Sequence, residues 1–482
     1  MTNLKQKTIH GLTWSFIDNF ANQGVTFLVG IVLARLIEPA EFGILGMISI
    51  FTAIAVSFVD SGFSSALIQK KDCTEIDYST AFYFNLFVSI SAYCILFFAA
   101  PFIARFFEEP RLVNIIKISC LSLIINAIAL VQRVLLSKNI NFKAQAKISV
   151  SSSIIAGVIA IILAYQGMGV WSLVWRGVVV AVFTCLFLWL RSNWRPIWLF
   201  SMKSFKELFG FGSKLLLAKL ISTIYDNIYY PIIGKYFSPA TLGFYTRAEA
   251  YSGLFSSMLS TNITRVSYPI LASIQDNMVQ LKRSYRKILK STMLLTFTMM
   301  LGLAAVAKPL VIILIGEKWL PCVPYLQLLC LSMMFYPLHL INLNIITVKG
   351  RSDLCLKLEI AKKIIAVPLI FIAILWGVEA LLIGNIVISI ISYFLNSYYS
   401  ADLVNYPAKE QLADVLPLLL VAACVSSVVF SITLFHFNDW FTLILQIITG
   451  AILTIGTYEK LKNSDYLEMK KTVTDNIKKR KQ

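Results

Sequence analysis

Residues 35–45 read Arg-Leu-Ile-Glu-Pro-Ala-Glu-Phe-Gly-Ile-Leu, and residues 235–245 read Lys-Tyr-Phe-Ser-Pro-Ala-Thr-Leu-Gly-Phe-Tyr. A constant spacing of 200 positions carries Arg35 onto Lys235, Pro39 onto Pro239, Ala40 onto Ala240 and Gly43 onto Gly243. Each stretch stands between two long apolar runs. A chain that repeats itself at nearly half its length, inside a membrane, is expected to build two similar helical lobes. Two lobes that meet at the bilayer midplane are the architecture of a transporter.

The composition agrees with a membrane setting. The chain has 482 residues, 58% hydrophobic and 14% charged, where a soluble domain carries about 25% charge. The apolar content is enough for roughly fourteen spans of about 20 residues each, which excludes a soluble helical protein with a large core. The net charge of +18 would suggest nucleic acid in a soluble protein. Here the basic residues sit in short loops, at span ends and in the tail, with no aromatic-interleaved basic platform. They read as positive-inside bias with attraction to anionic membrane lipid, and no nucleic-acid partner is expected. The eight cysteines form no CxxC pair and lie mostly in apolar runs, so they read as small core residues. No metal site or cofactor is expected. The first apolar segment is interrupted by Asp18, Asn19, Asn22 and Gln23, unlike a cleavable signal peptide.

Fourteen candidate spans follow: 10–35, 42–64, 79–101, 112–134, 147–166, 169–190, 209–234, 240–262, 291–314, 323–346, 357–376, 378–399, 413–435 and 440–457. The basic connection 263–290 reads as a helical extension. Alternating the loops between sides puts only Arg35, Arg105, Arg111, Lys117, Lys235, Lys308 and Lys318 outside, and the many other loop and tail cations inside. That asymmetry orients the chain with both termini cytoplasmic and favours an even number of spans. The repeat continues at an offset of 210, Cys120-Leu121-Ser122 onto Cys330-Leu331-Ser332 and Gly167 onto Gly377. Spans 1–6 and 7–12 are therefore expected to be parallel repeats. The expected domains are a six-helix lobe 1–200, a second lobe 201–400, two added spans in 401–457 and a basic cytoplasmic tail 458–482.

Ionisable groups inside spans cost roughly 2.5–3.5 kcal/mol each at the helix centre, so they normally face a cavity or a partner. Ser15, Asp18, Asn19 and Asn22 share one face of the first span, and Lys219, Ser222, Asp226 and Tyr229 follow helical spacing in the seventh. Both stripes fit the wall of a central cleft, or hydrogen bonds to neighbouring helices. Arg247 and Glu249 lie in span 8, Arg176 in span 6 and Arg133 at the end of span 4. Arg247 and Arg176 suit a bidentate grip on phosphate, or an internal ion pair such as Arg247 with Glu249 or Asp226. Asp18, Asp226 and Glu249 are candidate proton- or sodium-coupling groups, and His339 reads as a packing histidine. There is no Walker A loop, HExxH or GxSxG, and the outer loops are short. The chain is not expected to be an enzyme, and a membrane glycosyltransferase or polymerase is disfavoured.

Several stretches carry a family resemblance: Gly11-Leu12-Thr13-Trp14, Leu33 to Gly43, Asp60-Ser61-Gly62-Phe63-Ser64-Ser65-Ala66-Leu67-Ile68-Gln69, and Ser238-Pro239-Ala240-Thr241-Leu242-Gly243-Phe244-Tyr245-Thr246-Arg247-Ala248. Over about residues 1–400 the chain resembles Wzx-type polysaccharide flippases of the multidrug/oligosaccharidyl-lipid/polysaccharide exporter superfamily, and within them the exopolysaccharide or colanic-acid export subgroup. The resemblance implies an all-α polytopic fold with two six-helix bundles around a central, cationic cavity. It implies flipping of undecaprenyl-pyrophosphate-linked oligosaccharide between leaflets of a bacterial inner membrane. A polysaccharide polymerase and chain-length machinery would be partners. Arg247 matches the subgroup signature directly; Arg176, Lys219 and Arg133 are carried by their places in spans. With Asn22 and Tyr229 they form the candidate substrate-binding set. An ion-coupled multidrug antiporter of the same fold is the alternative.

Overall fold

A computed structural model describes the backbone of residues 2–60, 62–462, 465–468, 470, 471 and 475, without the side chains of 2–13, 15–17, 211, 214, 215, 218, 257–266 and 352. The Ser15 side chain of the first stripe, Ser61, the side chains of Gly11–Thr13 and Arg265, and most of the tail beyond 462 lie outside the described residues. The chain forms two compact units, Met1–Gly243 and Phe244–Gln482.

The first unit contains α1 (Thr2–Leu36), α2 (Pro39–Met47), α3 (Ser49–Asp60), α4 (Phe63–Gln69), α5 (Glu75–Phe107), α6 (Leu112–Ser119), α7 (Leu121–Ile128), α8 (Leu130–Lys138), α9 (Phe142–Tyr165), α10 (Val170–Arg191), α11 (Met202–Asp226) and α12 (Tyr229–Tyr236). It ends in the first turn of α13 (Pro239–Ser273). The second unit holds the rest of α13, then α14 (Met278–Ala305), α15 (Ala307–Ile315), α16 (Cys322–Met333), α17 (Tyr336–Val348), α18 (Ser352–Ile374), α19 (Val378–Val404), α20 (Ala408–Ser431) and α21 (Asp439–Lys460). No strand occurs among the described residues.

Local chemistry sets the boundaries. Thr74 and Asp77 form a reciprocal capping box that starts α5, and Asn141, Ser201, Asn277 and Asn438 cap α9, α11, α14 and α21 by accepting backbone N–H bonds. Pro39 opens α2 at the helix start, where a missing N–H costs nothing. Gly62 takes a φ of +68° and separates α3 from α4. The offset of 210 has a backbone counterpart: Gly167 and Gly377 both adopt positive φ, +78° and +99°, in the turns before α10 and α19. The basic connection 263–290 is helical except for a short break after Ser273, as its charge pattern suggested.

Many outward side chains are apolar. Phe87, Phe98 and Phe102 on α5 are 68–72% exposed, the inverse of a soluble protein and the signature of a lipid-facing surface. Nine helical segments among the described residues are long and apolar enough to cross a membrane, and ten if the pair Leu112–Ile128 and Leu130–Lys138, bent by 45°, counts as one span. Four of the fourteen expected spans are not among them: those in α1, α11 with α12, α13 and α18. These carry many of the charges within the expected spans, including Asp18, Lys219, Arg247, Glu249, Lys357, Glu359, Lys362 and Lys363. The protein is an all-α polytopic membrane protein.

Candidate functional site: two polar cavities joined at Arg133

The seventh candidate span is broken. Asn227 ends α11, its amide donating to the Thr223 carbonyl at 2.8 Å, and a new helix begins at Tyr229. Tyr229 therefore does not continue the stripe of Lys219, Ser222 and Asp226 on one uninterrupted helix. Tyr229 is buried at the start of α12, whereas the other three are exposed. The spacing was helical, but a turn with its own hydrogen bond interrupts it.

Along α11 the chain meets α3 and α4 at three levels. The hydroxyls of Ser57 and Thr223 lie 3.1 Å apart. Lys219 Nζ donates to Asp60 Oδ2 at 2.7 Å. The Gly62 backbone then comes so close to α11 that a methyl group there would stand 2.5 Å from the Gly212 carbonyl oxygen. Only glycine satisfies both that approach and the positive φ.

A cavity of about 480 Å³ opens between α3, α4, α7, α8 and α11, lined by Asp60, Ser64, Asn126, Arg133, Ser137 and Lys219 among apolar side chains. A second of about 450 Å³ lies between α1, α7, α8, α9 and α10 and is lined by Asp18, Asn22, Asn126, Arg133, Gln145, Ser149 and Ser153. Asn126 and Arg133 belong to both walls, one on each side of the bend between α7 and α8. The two arms of one bent helix thus each give a polar side chain to both cavities.

The electrostatics of that space are uneven. Asn22 accepts a 2.5 Å hydrogen bond from Ser153, tying α1 to α9. Asp18 faces Ser149 on one oxygen, while its Oδ1 has no hydrogen-bond partner among the described residues. Lys219 is neutralised by Asp60. The Arg133 guanidinium is open to the cavities, feels the Asp60 charge, and has no ion pair among the described residues. A planar five-donor cation that borders two cavities, without an ion pair among the described residues, has the donors to accept an anion there.

The sequence-derived candidates thus divide. Asp18, Asn22 and Arg133 share one cavity, and Arg133 and Lys219 share the other. Arg176 is half-buried on α10 next to the lining residue Gly177. Asp226 is exposed at the end of α11. Arg247 and Glu249 are half-buried on α13 in the second unit and line neither cavity. His339 on α17 has no hydrogen bond to either ring nitrogen among the described residues, so the reading of a satisfied packing histidine does not describe it. Asp60, Asn126 and Gln145 were missed. Asp60 stood within a quoted motif and is the carboxylate at the end of an otherwise apolar span, a signal that could have singled it out.

A further polar knot joins three turns of the first unit. Glu41, in the first turn of α2, accepts from Arg111 Nη1 at 2.8 Å and from the Val170 backbone N–H at 2.7 Å. Arg111 also grips Glu109 through Nε at 2.8 Å, and Lys235 Nζ donates to Glu108 at 2.8 Å. Hydrogen bonding from Arg111 holds the Glu109 carboxyl below the usual glutamate range, and Lys235 does the same to Glu108.

Comparisons with known proteins agree with this architecture. Residues 32–324 match the model of the family described as polysaccharide biosynthesis protein. The teichuronic acid biosynthesis protein TuaB of Bacillus subtilis (strain 168) is 23% identical over 475 residues, covering 96% of this chain and 98% of that protein. The lipopolysaccharide biosynthesis protein WzxC of Escherichia coli (strain K12) is 26% identical over 401 residues, covering 82% and 81%. Among solved structures, the inward closed conformation of the lipid II flippase MurJ superposes with a TM-score of 0.75 at 16% identity, over 94% of this chain and 100% of that one. The matched span is more than half the chain, so this protein belongs to the polysaccharide biosynthesis protein family, and it shares the all-α polytopic fold of the lipid II flippase MurJ.

Proposed function

We propose that the protein flips an undecaprenyl-pyrophosphate-linked oligosaccharide from the cytoplasmic to the periplasmic leaflet of a bacterial inner membrane, by alternating access, for surface polysaccharide assembly. The observation that carries this reading is Arg133, a guanidinium on the short arm of the bent α7–α8 pair that lines both cavities and has no ion pair among the described residues. A diphosphate headgroup is the anion such a group suits, because the guanidinium fork matches two phosphate oxygens at once. Asn22, Asn126, Gln145 and Ser149 supply neutral donors and acceptors of the kind that orient sugar hydroxyls. The apolar outer surface leaves the lipid tail in the bilayer. The names of WzxC and MurJ point the same way.

In this reading the lobes 1–200 and 201–400 rock about the substrate, with both termini in the cytoplasm. Arg247, Arg176 and Tyr229 contact it at other stages. Asp18, which lines the cavity and has one buried oxygen without a hydrogen-bond partner among the described residues, is the first candidate for ion coupling, ahead of Asp226 and Glu249. The polymerase and chain-length machinery receive the flipped product.

The test is flipping of a fluorescent undecaprenyl-pyrophosphate-linked oligosaccharide in proteoliposomes, wild type against Arg133→Gln. The expected result is protein-dependent flipping that falls at least about tenfold in the variant, the equivalent of roughly 1.4 kcal/mol of lost interaction. Equal flipping by a folded Arg133→Gln protein removes the role of Arg133. No flipping above protein-free liposomes, together with ion-driven efflux of a cationic drug from the same vesicles, installs the antiporter reading instead.

A further inference from the structure

We propose that Asp60 is an internal stand-in for one phosphate of the substrate, occupying part of the anion site when the cavity is empty and yielding it when the diphosphate arrives. The inference rests on the flippase reading and deepens it.

The Asp60 carboxylate is built into place. It is the last residue of α3, just before the left-handed Gly62 whose backbone is pressed against Gly212. The Ser57–Thr223 contact fixes the same helix one turn earlier. Between these two anchors Asp60 reaches Lys219 at 2.7 Å, and the two side chains remain 38% and 49% open to the cavity. Arg133 lines the same cavity within the field of Asp60.

The cavity wall presents two cations, Lys219 and Arg133, and one carboxylate, Asp60. A diphosphate joining a lipid to a sugar carries one ionised oxygen on each phosphorus, so two cations match it. With Asp60 in place only one cation is unspent. The carboxylate keeps Lys219 neutralised and ordered in the membrane interior, where a lone ammonium is costly. It also competes with the incoming headgroup. Because the pair is exposed to cavity water, its strength is modest, and a ligand with two charges can displace it. A headgroup with a single weak charge, or none, gains too little to break the pair. Asp60 thereby selects for the diphosphate against neutral or singly charged lipids.

The experiment measures binding of undecaprenyl pyrophosphate, undecaprenol and inorganic pyrophosphate to the full-length protein in nanodiscs, for wild type, Asp60→Asn, Asp60→Ser, Asp60→Glu and Arg133→Gln. Removing the competitor should tighten undecaprenyl pyrophosphate binding about fivefold in Asp60→Asn and Asp60→Ser, the magnitude expected for loss of an exposed ion pair. Asp60→Glu, which keeps the charge, should stay within about twofold of wild type. Inorganic pyrophosphate should tighten too, because the competition is for the headgroup. Unchanged or weaker binding in both neutral variants, with unfolding temperatures retained, overturns the proposal and leaves Asp60 as a clamp between helices. Tightening in Asp60→Glu, or with the lipid diphosphate alone, also overturns it. If wild type binds undecaprenyl pyrophosphate no better than undecaprenol, the diphosphate reading itself fails. If wild type prefers the diphosphate and Arg133→Gln loses that preference, but the neutral Asp60 variants do not tighten, only the stand-in role fails.

Discussion

Gly43 and Pro239 meet backbone to backbone: a methyl group on Gly43 would stand 1.7 Å from the Pro239 carbonyl oxygen, and one on Gly243 would stand 1.9 Å from that of Pro39. The two repeated turns are thus not only alike but pressed against each other, each glycine admitting the proline of the other. Neither obstacle is a side chain that could swing aside. Gly43→Ala and Gly243→Ala should each force the turns apart, at a cost of about 1–3 kcal/mol or more. One spreading motion relieves both clashes, so the double variant should cost less than the sum of the singles. Thermal unfolding of the three purified variants checks this, and additive losses would contradict it.

Glu41 ties three turns through two charge-assisted hydrogen bonds, to Arg111 and to the Val170 N–H. Glu41→Ala strands a backbone donor and half of the Arg111 fork, and should destabilise the protein by about 1–3 kcal/mol. Glu41→Gln retains an acceptor for Val170 and should lose less. Equal unfolding temperatures for Glu41→Ala and wild type would show that the knot is ornamental.

The neighbouring carboxylates predict an acid-sensitive limb. Glu109 is held below the usual glutamate range by hydrogen bonding from Arg111, and Glu108 by Lys235. A depressed folded-state value means stability that is fully present above the unfolded-state value, about 4.3, and is lost as pH falls through the folded one. Unfolding temperature measured from neutral pH down to about 3 should therefore fall more gently for the Glu108→Gln, Glu109→Gln double variant than for wild type. Parallel curves would refute the assignment.

In the second unit the fully buried Asn342 accepts from Tyr285 at 2.8 Å and from Ser400 at 2.6 Å. Asn342→Leu fills the space but leaves the Tyr285 hydroxyl without its acceptor, while Ser400 keeps the Ser397 carbonyl at 3.2 Å, a loss of about 1–3 kcal/mol. Adding Tyr285→Phe to that variant should recover part of the loss, since it removes the orphan. A double variant less stable than Asn342→Leu would count against the network.

Sequence and structure agree where the signal is periodic or repeated. The helical class, the helical character of 263–290 and the kinship of Gly167 with Gly377 could all be read from pattern, because apolar runs and turn glycines are local features. The repeat of Pro39–Gly43 in Pro239–Gly243 was legible as equivalence. That the two turns touch was not, because similarity in sequence says nothing about adjacency in space. Asp18, Asn22 and Arg133 could be nominated as intramembrane polar groups. Their meeting in one cavity depends on the bend between α7 and α8, which no proline or glycine announces. Asp60 escaped because it sits at a span end, where a carboxylate looks like an ordinary boundary residue. Tyr229 was joined to the stripe of α11 because residue spacing continues through a break that hydrogen bonding interrupts.

The four polar spans have a consequence for how the protein is made. A helix with a charge near its centre partitions poorly into lipid by itself, at roughly 2.5–3.5 kcal/mol per charged residue. Among the described residues, Lys219 finds its counter-charge in Asp60, which is synthesised about 160 residues earlier. Insertion of α11 is therefore expected to go best when α3 and α4 are already in place beside it, with their glycine notch unoccupied. Biogenesis of this chain is a docking problem as much as a partitioning one. A substitution at Gly62, which would fill the notch against Gly212, should show itself first as a misinserted or degraded nascent chain.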